Sequence, residues 1–319
     1  MKVLVTGAAG FIGSHTVERL LDRGDDVVGL DDFNDTYDPA LKRRNLARAL
    51  SLGGFTLVEG DVRDTELVPR ILRNDRFDAI VHLAARAGVR ASLLQPVVYE
   101  SANVTGLLNL LEAAAHDVLP HFVFASSSSV YGLSPRLPWR EDDPVDSPVS
   151  PYAVTKRAGE LMCRSYQATY GLDTCSLRLF TVYGPRQRPD MAIARFFGAV
   201  LADEPVTVYG DGSARRDFTH VHDVVGGILA ALDRRCSGRI INLGGAHTVT
   251  ILELLEMIGR ITGRTPKIRF EARQPGDVPT TWADNAVAQL HLGWTPGITL
   301  ETGLTEYHRW RTERGAVSG

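Results

Sequence analysis

Cysteine is scarce in this chain of 319 residues, and its three positions, Cys163, Cys175 and Cys236, are too few and too scattered for a disulfide framework or a zinc site. All fall in segments that read as regular structure, the pattern of buried free thiols in a reducing compartment. An excess of one charge is lacking too. Lysine and arginine number 35 against 38 acidic residues, a formal balance of −3, so no extended surface for nucleic acid is expected and anionic ligands must be held by local sites. No apolar run approaches the roughly 18 to 20 residues that span a bilayer. The chain enters a strand-like run at once, Lys2-Val3-Leu4-Val5-Thr6, which leaves no room for an export signal. Repeats and low-complexity tracts are absent, and only Gly315–Gly319 reads as a loose end. The expectation is a cytoplasmic globular protein that contacts neither nucleic acid nor membrane. Its 44% hydrophobic content suffices for one large core or two moderate ones.

What the chain does have is alternation. Short runs rich in Val, Ile and Leu occur at Val3–Thr6, Asp26–Leu30, Phe55–Glu59, Ala79–Leu83, His121–Ala125 and Cys175–Leu179. Between them Phe11–Arg23, Thr65–Arg73, Val97–Ala115 and Tyr152–Tyr170 carry apolar residues at helical spacing. This predicts an α/β fold, a doubly wound parallel sheet of Rossmann type. After about residue 180 the elements shorten and Gly/Pro clusters appear, which predicts a smaller α/β substrate-binding lobe over 181–319. Val221–Leu232 and Ile240–Leu243 look able to return to the main sheet, so the first domain, 1–180, is expected to be completed by parts of 217–245.

Directly after the first strand stands Gly7-Ala8-Ala9-Gly10-Phe11-Ile12-Gly13. Glycines placed there permit a tight turn, close approach of a pyrophosphate and close helix packing, with the helix N-terminus facing the phosphates. Out of context the same glycines are merely a turn. The second strand ends in Asp31-Asp32, where a carboxylate bonds ribose hydroxyls and repels a 2′-phosphate, which favours NAD. Lys42, Arg43 and Arg44 downstream read as an exposed basic helix face. Asp61-Val62 and Leu83-Ala84-Ala85 follow the third and fourth strands at the carboxyl edge, as lining for adenine and ribose or as simple turns.

Tyr152 and Lys156 lie four apart on a predicted helix, hence on one face. A phenol with a pKa near ~10 becomes a usable base only beside positive charge. By itself this spacing equally marks an amphipathic helix. Upstream, Ser126-Ser127-Ser128-Ser129-Val130-Tyr131-Gly132 brings hydroxyls to the carboxyl edge, or forms a loop that bonds its own backbone.

Taken in order, the glycine turn, the serine run before Val130-Tyr131-Gly132 and the Tyr152/Lys156 helix resemble the extended short-chain dehydrogenase/reductase family of NAD-dependent nucleotide-sugar epimerases and dehydratases, over residues 1 to about 310. The resemblance implies Ser127 as a catalytic hydroxyl, Tyr152 as acid and base, and Lys156 as tuner of Tyr152 and ligand of the nicotinamide ribose. It places Asn103 near the cofactor. Relatives that dehydrate or decarboxylate carry acidic residues where Ser128 and Ser129 stand, so the resemblance implies 4-epimerisation through a transient 4-keto sugar. The stretches Asp31–Asp38, Ala87-Gly88-Val89-Arg90 and Thr181–Pro185 with Arg188–Ala192 resemble the UDP-glucuronate branch, where UDP-galactose epimerases carry asparagine at the position of Thr181.

Oxidised glucuronate is a β-keto acid that loses its carboxylate easily, so Ser128, Ser129, Thr181 and Arg188 are expected to fix that group. Alternatively Thr181 packs and Arg188 pairs with Asp190 on the surface. By resemblance Arg216 grips the diphosphate together with Arg90, and Asp277 accepts from the uridine ribose. Asp217, His220, His222 and Asp223 invite a metal reading, but no distant third ligand is apparent and none is expected. Epimerisation of a neutral UDP-hexose, decarboxylation of UDP-glucuronate and a non-catalytic NAD-binding scaffold are the rival readings. The helices Val97–Ala115 and Tyr152–Tyr170 resemble the pair that forms a four-helix interface in homodimers of this family.

Overall fold

The computed structural model describes residues 1–117 and 119–317. Its first strand alternates between two cores: Val3 and Val5 join one apolar cluster while Leu4 joins the other. Successive side chains of a strand point to opposite faces, so an all-apolar run is what a sheet covered on both sides requires. The cofactor-side elements run β1 (Lys2–Thr6), α1 (Phe11–Asp22), β2 (Asp26–Asp31), α2 (Pro39–Asn45), α3 (Ala47–Ser51), β3 (Phe55–Glu59), α4 (Leu67–Asn74), β4 (Ala79–His82), α5 (Val89–Leu94) and α6 (Pro96–Glu100). A π-helical turn, Ser101–Thr105, leads into α7 (Gly106–Asp117), β5 (His121–Ser127), a 3-10 turn (Ser128–Tyr131), α8 (Pro151–Tyr170) and β6 (Thr174–Leu179).

Then follow β7 (Val182–Tyr183), α9 (Ala192–Leu201), β8 (Val206–Tyr209), β9 (Arg215–Asp217), β10 (Thr219–His220), α10 (Val221–Arg234), β11 (Arg239–Leu243), β12 (Thr248–Thr250), α11 (Ile251–Thr262), β13 (Ile268–Glu271), α12 (Ala286–Leu292) and α13 (Leu300–Val317).

Seven strands form one sheet in the order β11-β6-β5-β4-β1-β2-β3, every pair parallel. This is the doubly wound parallel sheet that the alternation predicts. One face packs Val17 and Leu20 of α1 with Val224 and Ile228 of α10; the other packs Ile71 of α4, Leu110 of α7 and Cys163 of α8. The edge strand β11 comes from beyond residue 230, so the chain does return to the main sheet. A third cluster, built from Phe197, Leu254, Ile258, Leu304 and Tyr307, lies under the short two-stranded pairs β8/β13 and β9/β12.

The chain departs from the expected elements at a π-helical turn and at its C-terminus, and it forms the helix expected around Lys42. The helix expected over Val97–Ala115 is interrupted by the π-helical turn, which turns Asn103 inward; Gly106 follows, where a Cβ would stand 2.6 Å from Val62. The segment after β2 forms α2 and α3, with Asp38 capping the first through Ala40 N at 2.9 Å and Pro39 opening it. At the C-terminus α13 continues through Gly315 to Val317, where a loose end is expected, and residues 318 and 319 lie outside the described residues.

Candidate active site

The glycine turn is tight enough that side chains cannot enter it. Gly7 has a φ of +69°, and a Cβ there would stand 2.8 Å from the Ala84 amide; one on Gly13 would overlap the Gly7 carbonyl. Gly13 thus packs against the turn's own backbone. Gly10 caps α1 without a side-chain bond, so the first-turn amides are left to face the cleft with the positive end of the helix. Gly7, Gly10, Phe11, Ile12 and Gly13 all line one cavity of about 790 Å³.

Along the same edge Asp31, Asp61, Val62, Leu83, Ala84 and Ala85 line it too, as expected. Asp31 accepts from Ala9 N and Phe33 N, both at 2.9 Å, which leaves each oxygen a second lone pair for a hydroxyl. Burial raises its pKa and those two bonds oppose the rise. Asp61 is held by Arg63, whose hydrogen bonds lower its pKa. Lys42 corrects the reading of an exposed basic face. It is 4% exposed, lines the cavity with its ammonium 5.2 Å from the Tyr37 ring, and faces Asp31 and Asp32, whereas Arg43 does pair at the surface with Glu59.

Asn103 is the expected cofactor residue that sits behind the wall. Its side-chain oxygen accepts from Arg86 N at 2.7 Å, and its amide donates to Arg86 O and Thr155 Oγ1, both at 3.0 Å. It ties the loop after β4 to α8.

Helix α8 starts with Ser150 accepting from Ala153 N at 3.1 Å and Pro151 in the first turn, which brings Tyr152 and Lys156 to the cavity. Ser127 ends β5 and accepts from Ser129 N at 3.2 Å, bending the chain into the 3-10 turn. Burial raises the Tyr152 pKa; a hydrogen bond with Ser127 and the charge of Arg188 lower it. Arg188 thus places a second positive charge beside the phenol, in addition to Lys156 four residues on along the same helix. Lys156 donates to Ala125 O at 2.7 Å, and burial lowers its pKa to about 8. An edge-on ring, Tyr99, backs Tyr152 at 6.2 Å and donates to Ala87 O at 3.1 Å. Sequence reasoning misses Tyr99 because the π-helical turn that follows it has no periodic signature.

Ser128, Ser129, Thr181, Arg188, Arg90, Arg216 and Asp277 line the far half of the same cavity. The Ser129 hydroxyl is buried without a hydrogen-bond partner. Arg188 does pair with Asp190, through Nε at 2.9 Å and Nη2 at 2.6 Å, yet its side chain is only 17% exposed and not at the surface. Arg90 bonds Asp277 at 2.7 Å and lies 4.2 Å over the Tyr209 ring. Arg216 donates to Arg215 O at 2.8 Å, and burial lowers its pKa.

Beneath the serine run a buried ion pair anchors the floor. Arg178 Nε and Nη2 bond Glu160 at 2.8 and 2.9 Å, and Ser126 donates to the same carboxylate at 2.6 Å. The cysteines are all buried and free. His220 and His222 do meet a distant third group, the Glu306 carboxylate of α13, with His220 Nε2 3.6 Å from it. His220 Nδ1, however, accepts from His222 N at 3.3 Å, so its neutral ring carries the proton on Nε2, which is buried without a hydrogen-bond partner.

Among known proteins, residues 3–244 match the NAD dependent epimerase/dehydratase family. A UDP-glucuronate 4-epimerase of Thermodesulfobacterium geofontis is 42% identical over 97% of this chain and 96% of its own length. UDP-glucuronate 4-epimerase 4 of Arabidopsis thaliana is 42% identical over 97% of this chain and 75% of its own length. The crystal structure of the Bacillus cereus UDP-glucuronic acid 4-epimerase, in complex with UDP-glucuronic acid and NAD, superposes with a TM-score of 0.92 at 38% identity. That superposition covers 98% of this chain and 100% of the other.

Proposed function

We propose, for a chain that belongs to the NAD dependent epimerase/dehydratase family, that it catalyses the 4-epimerisation of UDP-glucuronate to UDP-galacturonate. The observation that carries the substrate choice is the far half of the cavity, where Arg188 and the unpartnered Ser129 hydroxyl stand in the same space as Tyr152. A sugar carboxylate satisfies both.

NAD fits this chain, because the first-turn amides of α1 stand uncapped by any side chain at the cavity and Asp31 keeps acceptor capacity for ribose hydroxyls. When bound, it accepts the hydride from sugar carbon 4 and later returns it. Gly7, Gly10, Phe11, Ile12 and Gly13 hold its pyrophosphate; Asp31, Asp61, Val62, Leu83, Ala84 and Ala85 hold adenosine. Lys156 turns from the Ala125 carbonyl toward the nicotinamide ribose, and Asn103 fixes the loop that closes on it.

Tyr152 removes the proton of the carbon-4 hydroxyl as the hydride leaves the same carbon, and Ser127 hydrogen-bonds the oxygen. Arg188 favours the phenolate this step needs. The ketone then presents its other face, and Tyr152 gives the proton back as the hydride returns, so the net change is configuration alone. Arg90 and Arg216 grip the diphosphate and Asp277 the uridine ribose. Ser128, Ser129, Thr181 and Arg188 hold the carboxylate bond out of alignment with the ketone, which suppresses loss of CO₂.

The same reading divides the chain into a cofactor domain, 1–180 with parts of 217–245, and a nucleotide-sugar lobe over 181–319. Val97 and Leu108 of the Val97–Ala115 stretch and Val154 and Leu161 of α8 are 75, 39, 50 and 49% exposed, which supports a homodimer joined through these two stretches. Free buried cysteines support a cytoplasmic setting, and no described helix is long and apolar enough to cross a membrane.

Proton NMR of the purified protein with UDP-glucuronate, with and without added NAD, tests the function. UDP-galacturonate with little pentose is expected. UDP-xylose or its 4-keto precursor as main product would assign decarboxylation, and conversion of UDP-galactose alone would move the assignment to the neutral sugar.

A further inference from the structure

Arg188 has five N–H donors in one plane. Nε–H and one Nη2–H bond the two oxygens of Asp190, and Nη1 donates to Ala87 O at 3.1 Å. Two N–H groups remain, one on each terminal nitrogen. The cation that faces the sugar thus already has a carboxylate on its outer edge, and the Tyr37 hydroxyl beside the pair is buried without a partner.

We propose that Asp190 is a positioning and specificity-determining residue, an internal carboxylate that orients Arg188 and weakens the preference of the site for a charged sugar over a neutral one. This rests on the proposed function above.

Two consequences follow from the chemistry. A buried guanidinium with no anion would penalise any ligand that left it unpaired, and a hydroxymethyl group would do so. With Asp190 in place that penalty is gone, so UDP-glucose can occupy the site without stranding a charge. Conversely, an incoming carboxylate meets a cation whose charge is already balanced, and it gains through hydrogen bonds from the two remaining N–H groups more than through net charge. Ala87 keeps the plane of the guanidinium fixed as it does so, because its carbonyl also accepts from Tyr99, which backs Tyr152. Asp190 itself is half exposed, at 52%, and both its oxygens are bonded to Arg188; it acts through Arg188.

Asp190→Asn keeps the side-chain shape and one acceptor for Arg188 while removing the charge. Steady-state turnover of UDP-glucuronate and of UDP-glucose, with calorimetric affinities for both, is measured on the NAD-loaded wild type and variant. The ratio of kcat/KM for acid over neutral sugar is expected to rise on the order of tenfold. The rise is expected in KM, with kcat for the acid little changed, and matched by the ratio of affinities. A ratio that stays or falls overturns the proposal, as does a loss shared equally by both sugars, which marks a structural role. A wild type that epimerises UDP-glucuronate while the variant ratio stays put removes this proposal alone. A wild type inert toward UDP-glucuronate removes the underlying reading and this proposal with it.

Discussion

The two walls of the cleft are prepared for their ligands in opposite ways. On the cofactor wall the contacts are backbone: the glycine turn, the first-turn amides of α1, and Asp31 with its oxygens met by Ala9 N and Phe33 N. Nothing there must let go of a partner before a pyrophosphate arrives. On the substrate wall the tools are long charged side chains, and each already has a protein partner: Arg188 with Asp190, Arg90 with Asp277, Arg216 with the Arg215 carbonyl. A desolvated cation without a partner costs several kcal/mol, so these pairs keep the empty wall folded; Arg90 and Arg216 exchange theirs for ligand atoms on binding, while Asp190 stays on Arg188. A backbone wall accepts one shape; a wall of exchangeable pairs can accept several. The difference teaches where tolerance resides in this molecule.

The contrast breaks most severely at Gly13. Gly13→Ala puts a methyl group into the Gly7 carbonyl, and neither can move without unmaking the turn. The expected cost exceeds about 4 kcal/mol, with little soluble protein and no NAD carried through gel filtration. A soluble variant that retains NAD would show the cofactor wall to be as adaptable as the other.

Tyr152→Phe lies at the seam between the walls. The fold and NAD content are expected to remain, while kcat falls by roughly a thousandfold because phenylalanine keeps the ring but cannot carry the proton. Turnover followed by NMR at saturating UDP-glucuronate measures it. Arg216→Ala tests the substrate wall by itself. Losing one charge-assisted grip on the diphosphate is worth about 2 kcal/mol, so KM should rise some tens of times with kcat nearly unchanged. An equal fall in kcat would mean that Arg216 acts in the transition state and not in binding alone.

The same division explains what the sequence discloses. The cofactor wall is local: a strand, a glycine turn and a helix follow one another in the chain, so spacing places Gly7, Gly13 and Asp31 correctly. Tyr152 and Lys156 share a helix face for the same reason. The substrate wall is assembled from α5, the 3-10 turn after β5, the segments flanking β7, β9 and the 273–281 segment, and only tertiary packing decides which charges meet. Thus Arg90 finds Asp277 across 187 positions, Glu306 reaches His220 from the far end of the chain, and Lys42 turns inward from a helix that reads as surface. Asn103 shows the intermediate case. Its position in the chain is readable, but the π-helical turn that sets it behind the wall leaves no periodic trace.

The most gradual expected effect concerns Lys156, a buried cation of the seam that donates to a carbonyl, Ala125 O, and not to a carboxylate. Burial lowers its pKa from 10.5 to about 8, so its protonation is linked to folding. Below about pH 8 the lysine is charged both folded and unfolded, and the folded protein bears the burial penalty in full. Between about 8 and 10.5 the unfolded chain still holds the proton that the folded one has released, so stability from this group rises with pH. Lys156→Met removes the group and the linkage with it. In the cofactor-free protein, the variant's advantage in urea midpoint should be largest at neutral pH and shrink steadily as pH rises above 8. A constant difference would mean that Lys156 is as well compensated as Arg188 is by Asp190, and the seam would then belong with the substrate wall.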